Sequence, residues 1–305
     1  TIEPNTTNLK ILSELLPKIP SDQLPELTPY LKNLVLGFTQ YQAQIVDMLV
    51  RSFFISDSQI FVDTLLSLLQ AIPAIHSAIS ASITKFFPQT NFPVDQQVHF
   101  LRNSLILCSA SNDVAISSLS RIFQHFVALD CELLFDAPSS DGSIRVDDDV
   151  AQCFIPQMSF FMEFISNANS TIMTLLLQFF DLYLIDLPKV VAVQFVYFFS
   201  SSLDHSNFET FVGFLLAKMI DDSASLRSRS NATLYLESLI VHARYIDDDF
   251  AALTLDYVSN YALCYASHIS SEVPDQFKMD IKMHHMYYFA VQCLSYIICW
   301  RYKSF

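Results

Sequence analysis

The chain has 305 residues, of which 52% are hydrophobic and 27 are phenylalanine, so it carries material for a continuous core and is not a disordered chain. Only 3 residues are glycine, which argues against the tight hairpins of an all-β fold and against phosphate-cradling Walker or Rossmann loops. A net charge of −14, from 17 Lys plus Arg against 31 Asp plus Glu, repels nucleic-acid phosphate over most of the surface and disfavours a stand-alone DNA or RNA binder.

The first 30 residues hold Pro4, Pro17, Pro20, Pro25 and Pro29 and read as an irregular lead-in. From Tyr30 a helical period takes over. It predicts helices over Tyr30–Phe38, Gln40–Phe54, Ser58–Ala71, Ala74–Phe87, Val94–Cys108 and Asp113–Cys131. Asp57, Ser58, Asn112 and Asp113 are candidate caps, and Pro73 sits where a first-turn proline is tolerated. Glu132–Asp149, with Pro138, Gly142 and the triplet Asp147-Asp148-Asp149, interrupts the pattern. It reads as a solvated acidic loop, since the triplet lacks the spaced oxygens and glycine of a calcium loop. The expected organisation is therefore N-terminal repeats over 1–131, the acidic loop over 132–150 and further repeats of the same stack over 151–305.

Beyond the loop, helices are expected over Ala151–Asn167, Ser170–Leu184, Lys189–Leu203, Asn207–Ile220, Ser223–Tyr245, Asp248–His268 and Asp280–Tyr302. In the fifth of these, Leu236, Leu239, Ile240 and Ala243 make one apolar stripe. Asp221-Asp222-Ser223 is placed to cap it, and Arg244 falls in its expected last turn. Phe195, Tyr197, Phe198 and Phe199, then Phe208, Phe211 and Phe214, read as core packing.

The chain also matches itself at an offset of 40 residues. Phe61, Leu65 and Leu66 correspond to Leu101, Leu105 and Ile106, and Ile79, Ile83 and Phe87 to Leu119, Phe123 and Val127. Later, Val196, Phe199, Phe211 and Leu215 correspond to Leu236, Leu239, Ala251 and Leu255. Both arms of a helix pair repeat together at the period of HEAT and armadillo repeats. The predicted fold is an all-α, HEAT-like solenoid of stacked antiparallel helix pairs, which offers a surface to partners.

Little points to catalysis. The cysteines at 108, 131, 153, 264, 293 and 299 form no metal-binding spacing and read as small hydrophobes in a reducing compartment. His284-His285 is the one histidine cluster, and adjacent helical residues diverge by roughly 100° and cannot share an ion. No cofactor or metal is expected. The run Tyr287–Trp300 is shorter than the roughly 18–20 residues a membrane span needs, and no signal peptide is visible. The glycosylation patterns at Asn5, Asn169 and Asn231 read as chance matches.

Three stretches carry a family resemblance: FLRNSLILCSASNDVAISSLSRIFQHFVALD (Phe100–Asp130, directly before the acidic stretch), RSNATLYLESLIVHARYI (Arg229–Ile246) and MHHMYYFAVQCLSYIICWRYKSF (Met283–Phe305). In this order they resemble the RNA polymerase I-specific transcription initiation factors, and the resemblance covers essentially the whole chain. It implies a non-enzymatic HEAT-repeat protein of the nucleus and nucleolus. Such a protein binds RNA polymerase I near its stalk, bridges it to the promoter-bound core factor, meets promoter DNA only indirectly and forms a homodimer when free of polymerase. It further implies a serine patch in the N-terminal repeats whose phosphorylation weakens polymerase binding. The comparable repeats here hold Ser77, Ser80, Ser82, Ser109, Ser111, Ser117 and Ser118. Arg227, Arg229 and Arg244 flank the helix of the second stretch and read either as contacts to core factor, promoter DNA or polymerase, or as solvated helix-end charges. The acidic stretch is shorter than in the family, and the family continues with further helices past the equivalent of Phe305. Two rivals remain: a transport receptor or scaffold with the same repeats but unrelated partners, and an all-helical enzyme.

Overall fold

The computed structural model describes residues 11, 14–15, 24–55, 59–72, 74–133, 148–187, 190–272 and 280–302. They are helical with short turns, and no strand occurs among them. The chain divides into two compact units, residues 1–179 with 189–193 and residues 180–188 with 194–305.

The first unit is built from α1 (Leu24–Gly37), α2 (Gln42–Arg51), α3 (Gln59–Ala71), α4 (Ile75–Phe86), α5 (Val94–Ala110), α6 (Asn112–Glu132), α7 (Asp148–Ser166) and α8 (Ser170–Phe179). Helices α1, α3, α5 and α7 pack one on the next in one layer, and α2, α4, α6 and α8 do the same in a second. The layers meet where α1 touches α2, α3 touches α4 and α5 touches α6. This is the expected stack of antiparallel pairs, in which each helix buries its stripe only against its neighbours. The internal repeat is visible in burial: Phe61 and Leu65 are buried with Leu66 half-buried, and Leu101 and Leu105 are buried with Ile106 half-buried. An aromatic seam joins the pairs, with ring centroids 5.7 Å apart for Phe53–Phe100, 5.5 Å for Phe87–Phe100 and 4.8 Å for Phe126–Phe161.

The second unit comprises a π-helical turn (Phe180–Leu184), α9 (Phe195–Leu203), α10 (His205–Ile220), α11 (Leu226–His242), α12 (Asp248–Glu272) and α13 (His285–Arg301). Here α10 packs on α9 and on α11, and α13 lies against both α11 and α12. Phe180 is the hub of its core, with ring centroids 4.7 Å from Tyr197, 5.3 Å from Phe211 and 4.9 Å from Tyr235. No described helix is long and apolar enough to cross a membrane.

Several helix ends differ from expectation, most where a tertiary or capping bond wins over periodicity. The helix expected over Ser223–Tyr245 spans Leu226–His242. Asp221 is spent on a local turn, accepting from the Ser223 amide at 2.9 Å and its hydroxyl at 2.6 Å. Ser225 is the true cap and accepts from the Ser228 amide at 3.0 Å. Arg244 therefore lies beyond the helix, not in its last turn. Asn112 and Asp113 lie within the first turn of α6, capped by Ser111. The helix expected from Lys189 begins only at Phe195, because the amides of Val191, Ala192 and Val193 bind the Asp130 carboxylate. Helix α1 starts at Leu24 despite Pro29 within it. Among the aromatics expected in the core, Phe195 is instead 52% exposed. Asn5, Asp57, Ser58, Pro73 and most of the acidic stretch (134–147) lie outside the described residues.

Candidate interaction surface

The antiparallel stack places the N-terminal ends of α4, α6 and α8 along one edge of the first unit, and side chains tie them together. His76, in the first turn of α4, bonds through Nδ1 to the Ser111 hydroxyl at 2.7 Å and lies 3.8 Å from Asp113 Oδ2. Asn169 caps α8 by accepting from the Ile172 amide at 3.1 Å, and its Nδ2 donates to Asn112 Oδ1 at 2.9 Å. Three helix starts thus share one polar seam, with the positive ends of their dipoles facing the same way.

The seven serines divide sharply at this edge. Ser77, Ser109 and Ser117 are exposed, each donating only to a backbone carbonyl of its own helix region, Ala74, Leu105 and Asp113 respectively. Ser111 is buried as the α6 cap. Ser82 is buried and donates to Asp47, which also pairs with Lys85 at 2.6 Å. Ser80 and Ser118 are buried with hydroxyls that find no hydrogen-bond partner. Ser77 stands in the first turn of α4, Ser109 in the last turn of α5 and Ser117 in the second turn of α6, with Ser111 bonded to His76, whereas Ser80, Ser82 and Ser118 lie in the interior.

The chain matches the family described as RNA polymerase I specific transcription initiation factor RRN3 over residues 9–153 and 150–305. The chain belongs to this family. It is 18% identical, over 335 aligned positions, to the RNA polymerase I-specific transcription initiation factor rrn3 of Schizosaccharomyces pombe, covering 91% of this chain and 55% of that protein. The chain thus spans about half the length of this curated relative. Its fold is similar to the crystal structure of RNA Polymerase I Transcription Initiation Factor Rrn3, with a TM-score of 0.79 at 16% identity, covering 97% of this chain and 68% of that one.

In this member of the RRN3 family the arginine trio is dispersed. Arg227 is exposed and lines a shallow groove with Asn231, Leu234, Tyr235 and Ser238 of α11. Arg229 is largely covered: its Nε donates to the Met219 carbonyl at 3.0 Å and its guanidinium pairs with Asp222 at 2.7 Å. Arg244 stands exposed in the turn after α11. The structure separates the three, with Arg227 and Arg229 at one end of α11 and Arg244 past the other.

Two polar centres had no sequence signature. Asp130, fully buried, takes three amides from a segment 61 to 63 residues away. His125 bonds through Nε2 to Gln157 Oε1 at 2.9 Å, within a buried cluster that continues to Gln97 and Cys153. Burial drives the His125 pKa down to about 4; the Gln157 bond acts upward and the Arg121 charge downward. No group of three or more His, Cys, Asp or Glu able to hold a metal occurs among the described residues.

Proposed function

We propose that the chain acts as a non-enzymatic adaptor that binds RNA polymerase I near its stalk and bridges it to the promoter-bound core factor in the nucleolus of the nucleus. The observation that carries the reading is the family match over both halves of the chain, together with a surface built from helix ends. Phosphorylation at the exposed Ser77, Ser109 and Ser117 weakens polymerase binding. Each phosphate brings roughly −1.5 to −2 charges, which opposes docking onto an acidic or tightly packed partner. Any contact of Arg227 or Arg244 with promoter DNA is secondary to protein contacts on a chain of net charge −14. Two free copies associate as a homodimer.

The test is retention of RNA polymerase I subunits by the immobilised chain, compared with a Ser77→Asp, Ser109→Asp, Ser117→Asp variant. The expected result is retention by the parent and clear loss by the variant. Equal retention by both rejects these serines as the regulated patch. Retention of other proteins without polymerase I replaces the adaptor with a scaffold of unrelated partners.

A further inference from the structure

We draw no further inference here: the strongest candidate, the groove of the second unit floored by Tyr261 and Tyr265 where α12 meets the turn that leads into α13, carries nothing, because its Arg229 is already paired with Asp222, its exposed Lys282 shares a turn with Asp280, and nothing in the structure shows what covers this apolar face.

Discussion

The Asp130 Oδ2 oxygen lies 2.7 Å from the Val193 nitrogen, and the same carboxylate accepts from Val191 at 3.2 Å and Ala192 at 3.0 Å. Asp130 stands in the last turn of α6, where the helix dipole opposes a negative charge. The three amides make the position favourable and cap the segment that precedes α9. Asp130→Ala leaves them without their acceptor and should cost about 3 kcal/mol or more. Asp130→Asn, which keeps one acceptor oxygen, should cost less. Urea unfolding midpoints order the two variants, and an Asp130→Ala midpoint equal to the parent's would contradict the account.

His125 makes the first unit acid-sensitive in a defined window. Its folded-state pKa is about 4, below the ordinary value of about 6.5, so the folded form refuses a proton that the unfolded chain accepts. The stability contribution is complete above pH 6.5 and declines as pH falls through the window to about 4. Its full loss amounts to roughly 3 kcal/mol. His125→Gln should flatten this limb of the stability–pH curve relative to the parent, as measured by denaturant unfolding at stepped pH.

Glu237 works against its surroundings. It is 9% exposed, its Oε2 has no hydrogen-bond partner, and burial raises its pKa. The charged form is therefore disfavoured in the fold at neutral pH, and the penalty shrinks as the pH drops towards the ordinary carboxylate range. Glu237→Gln should stabilise the chain by about 1–2 kcal/mol near neutrality, with a smaller gain in acid. Calorimetric melting at two pH values checks both sign and trend.

Phe180 should be the costliest single truncation in the second unit. Its ring meets Tyr197, Phe211, Phe214 and Tyr235, and Phe180→Ala removes all four contacts for a loss of about 3–5 kcal/mol. Phe195→Ala, on a ring 52% exposed, serves as the mild comparison in the same unfolding assay.

The helical stack was legible because its signal is local. Phe61, Leu65 and their counterparts Leu101 and Leu105 lie on stripes that repeat within one helix and again 40 residues later. Helix ends were less legible because distant groups choose them. Nothing near Val191 announces that its amide belongs to Asp130, and nothing near Ser111 announces His76, 35 residues earlier. The serine patch was half legible. Ser118 shares the buried stripe of Val114, Ala115 and Ile122, whereas Ser117 next to it points outward. Periodicity contains that distinction, but it has to be applied serine by serine. The tyrosine groove was not legible, since it needs α12 and the turn before α13 brought together.

The seam from His76 through Ser111 and Asn112 to Asn169 has a consequence for how the first unit responds to added charge. Neighbouring helix starts are coupled by short polar links, so anions placed along them sum at one boundary instead of acting in isolation.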